Sequence, residues 1–386
     1  MERYLKDNLL ADLPHKIVLL MGPRQCGKTT LSKMLMEDYQ YLSYDLAEHR
    51  MLLREKAWDR GKALIIFDEL HKMPEWKAWL KGIYDVEGIP PALLVTGSAK
   101  LTAFRKVGDS LAGRHFEFHL HPLDYKEALA LTDIEGDEIF RRLMEVGGFP
   151  EPFLRGNRRY YKRWKQTHIN LILREDLLSL CAVRDIQSIE TLIELLRSRI
   201  GSPVSANSLA EDLQKSPKTV QQWLSLLEDL YVIFKVTPFH KNIARALLKE
   251  PKYYFYDNGM VTGNDGDKLE NLLACSLLKE IHRMQDIAGE HYDLHCIRTK
   301  DGHEIDFCIT KDKKPIQLIE AKWKDAGLSA NFKRFLTDSE IERTQVVGGL
   351  AQGKSYPTGE RIVPAQKFLA DFSLAEDGDG VCTDRS

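Results

Sequence analysis

Residues 22–29 read Gly-Pro-Arg-Gln-Cys-Gly-Lys-Thr and fill every fixed position of the phosphate-loop template G-x-x-x-x-G-K-[ST]. The apolar run Lys16-Ile-Val-Leu-Leu-Met21 comes directly before it and reads as a buried parallel strand. The amphipathic stretch from Thr29 to about Asp38 follows and reads as a helix. Strand, glycine loop and helix in that order make a phosphate cradle. Gly22 and Gly27 let backbone N–H groups turn inward, and the helix start adds partial positive charge. Gly22, Pro23, Arg24, Gln25, Cys26, Gly27, Lys28, Thr29 and Thr30 are therefore the candidate phosphate-binding residues. In the template the lysine, here Lys28, reaches the β- and γ-phosphates, and the hydroxyl of Thr29 ligates Mg²⁺.

Hydrolysis needs two more groups, a metal-positioning carboxylate and a group that orients water. Residues 63–69, Ala-Leu-Ile-Ile-Phe-Asp-Glu, end an apolar β-rich run in two acids. Such a run is a buried strand delivering carboxylates to its C-terminal edge, where open α/β sheets bind ligands. Asp68 is the candidate Mg²⁺ ligand beside Thr29, and Glu69 is the candidate for polarising water. A third run, Ala92-Leu-Leu-Val-Thr-Gly-Ser98, ends in small hydroxyl residues. Ser98 is the first candidate for sensing the γ-phosphate and Thr96 the second. Arg114, in Leu-Ala-Gly-Arg-His, precedes a short strand at 116–120 and is a candidate for stabilising transition-state charge. Arg105 and Lys106 compete for that role.

The order of these motifs carries a resemblance. Phosphate loop, Ile-Ile-Phe-Asp-Glu-Leu-His-Lys (65–72), Val-Thr-Gly-Ser (95–98), Leu-Ala-Gly-Arg (111–114) and His-Pro-Leu (121–123) together resemble the prokaryotic AAA-type P-loop ATPases of archaeal type. The resemblance implies ATP and Mg²⁺ as cofactors, a cytoplasmic location and ring or dimer assembly. It also implies an ATPase core followed by helices, a winged helix and a C-terminal domain. The fold class expected is α/β: a P-loop NTPase parallel sheet with helices on both faces, then a helical and winged-helix region, then a C-terminal α/β restriction-endonuclease-like domain.

Composition sets the limits. The 386 residues exceed one ordinary domain, and 43% hydrophobic with 29% charged residues describes a globular chain with real cores. No stretch approaches the ~18 uninterrupted apolar residues of a membrane span. Met1-Glu-Arg-Tyr-Leu-Lys6 lacks a secretory apolar segment. Six scattered cysteines with no C-x-x-C pair argue against structural zinc and for a reducing, cytoplasmic setting. The net charge of −2 requires any nucleic-acid contact to come from local patches.

One such patch is 155–165, Arg-Gly-Asn-Arg-Arg-Tyr-Tyr-Lys-Arg-Trp-Lys, with six basic residues, no acid, and Tyr160, Tyr161 and Trp164 interleaved. That mixture suits phosphate contact plus base stacking, and equally a solvated basic helix face packed by its aromatics. A short helix at 208–213, a turn at 214–216 capped by Ser216 before Pro217, a helix over 218–230 and a β-rich run at 231–237 follow the winged-helix order. In a DNA-binding version Lys215, Lys218, Thr219 and Gln222 face the major groove.

Near the C-terminus, Gly302-His-Glu-Ile-Asp-Phe-Cys-Ile309 alternates like a half-buried strand, and Ile316-Gln-Leu-Ile-Glu-Ala-Lys322 reads as its return. Asp306 and Glu320-x-Lys322 then lie on adjacent strands, and Glu320 and Lys322, two apart, point to one face. The pattern resembles the PD-(D/E)xK nuclease core, with Glu270 as its upstream acid. In an active version Asp306 and Glu320 bind Mg²⁺ and Lys322 activates water. The expected units are 1–150, 151–242 and 243–372, with a disordered tail at 373–386. The leading expectation is an Mg²⁺-dependent ATPase that couples nucleotide state to a C-terminal module acting on DNA. The alternative is an ATP-controlled signalling or defence switch that binds a protein partner and carries an inactive nuclease-like domain.

Overall fold

The computed structural model describes residues 3–98, 111–177, 185–239, 250–299, 302–325, 327–333, 335 and 341–375. The candidates Arg105 and Lys106, and the tail from 376 onward, lie outside the described residues.

Five parallel strands form the first sheet: β1 (Ile17–Met21), β2 (Tyr39–Ser43), β3 (Leu64–Asp68), β4 (Ala92–Gly97) and β5 (His115–His119), in the order β2-β3-β4-β1-β5. Their apolar runs are continuous because side chains alternate between two covered faces. Ile17, Leu19, Ile65, Phe67, Leu93 and Val95 enter one core. Val18, Leu20, Leu64, Ile66 and Leu94 enter the other. Helices α1 (Lys6–Asp12), α2 (Lys28–Met34), α3 (Ala47–Glu55) and α4 (Trp76–Glu87) connect and cover these strands. Helix α2 stops at Met34, short of the expected Asp38. Asp38 is taken up by the sheet instead: its carbonyl accepts the N–H groups of Ala63 and Leu64, and its carboxylate holds Lys62 at 2.7 Å.

The helical stretch expected from Tyr125 is present as α5 (Tyr125–Leu131), α6 (Gly136–Val146), α7 (Pro150–Arg155), α8 (Arg158–Leu171) and α9 (Ile186–Arg197). Asp124 caps α5 by accepting the N–H of Glu127, and Asn157 caps α8 by accepting that of Tyr160. One π-helical turn, Ile172–Asp176, extends α8. Helices α10 (Ala206–Leu213) and α11 (Pro217–Asp229) follow, with Ser216 capping α11 and Val220, Trp223, Leu224 and Leu227 buried as the periodicity predicts.

The second sheet has eight strands: β6 (Ile233–Pro238), β7 (Lys252–Phe255), β8 (Tyr292–Arg298), β9 (Glu304–Lys311), β10 (Lys314–Lys322), β11 (Glu342–Val347), β12 (Lys354–Ser355) and β13 (Glu360–Pro364). Its order is β12-β13-β11-β10-β9-β8-β6-β7. The β9–β10 hairpin closes through Asp312 and Lys313, both with positive φ, as a two-residue turn demands. The long helix α12 (Asp265–Ala288) opens on an Asn264–Asp267 capping box, and α13 (Ala365–Asp371) is the last helix among the described residues.

The expected boundary at 242–243 is corrected by this sheet. Strand β6 pairs antiparallel with β7 and parallel with β8, so the hairpin behind α11 is the edge of the C-terminal sheet. Helix α12 touches both sheets, and Asp286 accepts the backbone N–H of His119 at 2.7 Å. Tyr125 donates to Gln366 at 3.0 Å, which brings α13 back onto α5. The first of these cores runs from Ile17 to Leu374 and joins the parts that the sequence separates.

Candidate nucleotide site and C-terminal acidic cluster

Strand β1 ends at Met21, whose carbonyl accepts the N–H of Leu120 at 2.8 Å. The chain then turns at Gly22, with φ of +149°. A Cβ there would sit 2.2 Å from the Leu120 carbonyl oxygen, so the close approach of β5 admits only glycine. Gln25 and Gly27 also have positive φ, which folds the loop around its own N–H groups before α2 begins at Lys28. The Lys28 ammonium is buried and donates to the carbonyls of Gly22 at 2.8 Å and Pro23 at 2.7 Å.

Strand β3 delivers Asp68 and Glu69 beside this loop. The Tyr41 hydroxyl donates to one Asp68 oxygen and the Thr96 hydroxyl to the other. Each carboxylate oxygen has two lone pairs, so both keep acceptor capacity after these bonds. Asp68 and Thr29 would supply oxygen donors only, the chemistry that suits a hard cation such as Mg²⁺.

Glu69 takes a left-handed backbone conformation with φ of 54°, held by its N–H donating to Thr96 O at 3.1 Å. Ser98 donates to its carboxylate at 3.1 Å, and Lys72 Nζ lies 4.0 Å away. Burial raises the Glu69 pKa, with Lys28, Lys72 and Arg24 opposing and Asp68 adding to the rise. His71 lies 3.5 Å from the same carboxylate. Burial, then Lys72 and Lys28, push His71 down to about 3, which leaves it neutral. Ser98 thus meets Glu69 while Thr96 meets Asp68, and both hydroxyl candidates are inside the site.

Arg114 is not brought there. It opens β5 at the amino edge of the sheet, about 16 Å of strand away from the loop edge. It forms a bidentate pair with Asp85 of α4, at 2.6 and 3.1 Å. Among the described residues, Arg24 of the loop itself lies inside the site, paired with Glu175 at 3.1 Å and Asp176 at 3.2 Å. Gln25 meets His168 Nδ1 at 2.8 Å. Helix α8 and its π turn therefore lie directly on the phosphate loop, and π turns are frequent at functional sites. Burial pushes Asp176 up to about 6 against the pull of Arg24. The acids 175–176, interrupting an apolar helical run, were the available sequence signal for this contact.

Of the two readings of the basic segment, Tyr161 and Trp164 follow the packed one. Tyr161 and Trp164 are buried, and Trp164 packs on Phe149 and His168, so they cannot stack on bases. Arg158, Arg159, Lys162 and Arg163 remain exposed on the outer face of α8. On α11, Lys218 and Gln222 are exposed, whereas Lys215 pairs with Asp185 at 2.7 Å and Thr219 bonds Ser216 at 2.8 Å.

A buried charge network ties the loop to the C-terminal part. Arg3 donates to Cys26 O at 2.7 Å and to His121 O at 2.6 Å, and pairs with Glu127 at 2.5 Å. Lys279 of α12 reaches the same Glu127 at 2.6 Å and Asp124 at 3.0 Å. Burial alone would raise the Glu127 carboxyl; Lys279 and Arg3 overturn it and hold it below the usual range.

The second cluster also assembles. Glu270 of α12, Asp306 of β9, and Glu320 and Lys322 of β10 lie near one another. The structure adds a residue that the sequence did not single out, Lys252 of β7. Its ammonium lies 3.1 Å from Glu270 and 3.4 Å from Asp306, and it also contacts Glu304. Burial pushes Glu270 up to about 7, with Asp306 adding to the rise and Lys252 opposing it. Glu320 pairs with Lys322 at 3.1 Å and accepts from Ser329 at 3.0 Å and Asn331 at 3.1 Å.

Comparison with known proteins bears on the first site. Residues 137–266 match the model of a domain of unknown function (DUF8612). The chain is 26% identical to an uncharacterized protein of Mycobacterium tuberculosis over 373 residues, 93% of this chain and 82% of that one. It is 24% identical to an uncharacterized protein of Methanocaldococcus jannaschii over 340 residues, 79% of this chain and 74% of that one. A Thermotoga maritima RuvB structure aligns with a TM-score of 0.33 at 19% identity, over 60% of this chain and 88% of that one. Residues 14–129, which hold the loop, Asp68, Glu69 and Ser98, match the family model of the AAA domain.

Proposed function

We propose that this protein is an Mg²⁺-dependent ATP hydrolase whose nucleotide state is passed to its C-terminal part. The observation that carries this reading is the meeting of Lys28, Asp68, Glu69 and Ser98 at the carboxyl edge of one parallel sheet. Lys28 exchanges its loop carbonyls for phosphate oxygens. Asp68 and Thr29 would hold the metal, which supplies charge neutralisation of the phosphates when bound. Glu69, buried and fixed by Ser98, accepts a hydrogen bond from the attacking water and raises its nucleophilicity. Any shift of the loop at Cys26 reaches α12 through Arg3, Glu127 and Lys279. The free thiols Cys26, Cys275, Cys296 and Cys308 suit a reducing cytoplasm.

Glu69→Gln keeps the side chain's shape and removes its basicity. It is expected to retain ATP while turnover falls on the order of 10²–10⁴-fold, as loss of general-base assistance does. Turnover at the wild-type rate would remove Glu69 from the chemistry.

The exposed cations of α8 favour DNA as the macromolecule acted upon. Arg158, Arg159, Lys162 and Arg163 lie within six positions, and among the described residues none forms an ion pair. Neutralising all four is expected to lower the slope of log affinity against log salt by about 3–4 on duplex DNA, close to 0.9 per lost phosphate contact. Turnover measured with single-stranded, duplex and branched DNA tests the coupling. Absence of both binding and stimulation would replace this reading with the protein-binding switch.

A further inference from the structure

A nuclease-like constellation implies a divalent metal among its acids, and the side chains present do not fit one. We infer that the Lys252 ammonium is the resident cation of the C-terminal acidic cluster, so that this cluster neither binds a divalent metal nor cleaves DNA and serves to bolt three elements together.

The ammonium meets as many carboxylates as it has donors. An ammonium has three N–H donors and no acceptor. Lys252 is 1% exposed, and three carboxylates surround its nitrogen: Glu270 at 3.1 Å, Asp306 at 3.4 Å and Glu304 in contact. They come from α12 and β9, while Lys252 itself belongs to β7. Other donors also hold these carboxylates in place. Tyr254 donates to Glu270 at 2.7 Å, and the Ala321 N–H donates to Asp306 at 2.9 Å. Glu320 is held by Ser329, Asn331 and Lys322.

Magnesium requires oxygen ligands at about 2.0–2.1 Å in near-octahedral order. A cation bound by Glu270 and Asp306 would have to occupy the position of the Lys252 nitrogen or repel it at contact distance. Among the described residues, no group of three or more His, Cys, Asp or Glu side chains could hold a metal ion. The product of the arrangement is mechanical. The lysine pins β7, the outer strand of the hairpin behind α11, to the helix that also carries Lys279 of the network beneath the phosphate loop.

Mn²⁺ alone, titrated without nucleotide and followed by electron paramagnetic resonance of the free ion, tests this on the full chain. The wild type is expected to show no site that Asp306→Asn removes, and no Mn²⁺-dependent nicking of plasmid DNA. Lys252→Met is expected to gain one Mn²⁺ site with a Kd on the order of 10⁻⁴ M, the range of weak carboxylate sites. The site should vanish in Lys252→Met with Asp306→Asn. A wild-type Mn²⁺ site abolished by Asp306→Asn would overturn the inference, and so would a folded Lys252→Met chain that gains none. If Lys252→Met does not fold, the wild-type and Asp306→Asn titrations decide the matter between them.

Discussion

Lys28→Ala is expected to lower ATP turnover on the order of 10³-fold, about 4 kcal/mol of transition-state stabilisation. The ammonium is buried in a loop whose other phosphate-facing groups are backbone N–H dipoles, so its full charge has no substitute inside the loop. The low local dielectric strengthens its attraction for phosphate oxygens beyond that of a surface lysine. Removing it also frees the carbonyls of Gly22 and Pro23, a structural cost of about 1–3 kcal/mol. Initial rates, measured with far-ultraviolet circular dichroism as the check on folding, separate the two effects. A folded Lys28→Ala chain that hydrolyses ATP at the wild-type rate would sink the ATPase reading as a whole.

Glu127→Ala is expected to have the largest effect on stability, a loss of about 3–5 kcal/mol, because it leaves Arg3 and Lys279 buried without their shared counter-ion. Chemical denaturation measures this as a lower midpoint. A change within about 0.5 kcal/mol, as for a surface substitution, would show that the network is not holding the parts together. The pH dependence has a definite sign. The native Glu127 pKa lies below its ordinary 4.5, so the stabilisation is complete above that value and fades as pH falls through the lowered native one. Glu127→Ala should flatten that acid limb of the stability profile.

The candidate nucleotide site was largely legible in the sequence because its determinants are local. A glycine at +149°, a lysine at the first turn of a helix and two acids at a strand end need only their neighbours in the chain to be recognised. Strand periodicity placed β1, β3 and β4 for the same reason. Arg114 shows the limit. Proximity in motif order suggested a role at the phosphate, but a parallel strand has two ends, and Arg114 precedes β5 at the end away from this chain's own loop. Trp164 shows another limit, since a basic run with aromatics reads alike whether the rings face solvent or core.

What the sequence determined by itself was the P-loop sheet, the Asp68–Glu69 pair and the acids of the second cluster. Only the tertiary structure decided which cations meet those acids. Arg24 finds Asp176, Arg3 finds Glu127, and Lys252 finds Glu270 and Asp306 across separations that no local pattern encodes. Propensity and periodicity act over a few residues, whereas a buried charge selects its partner by desolvation and distance after the chain has closed on itself.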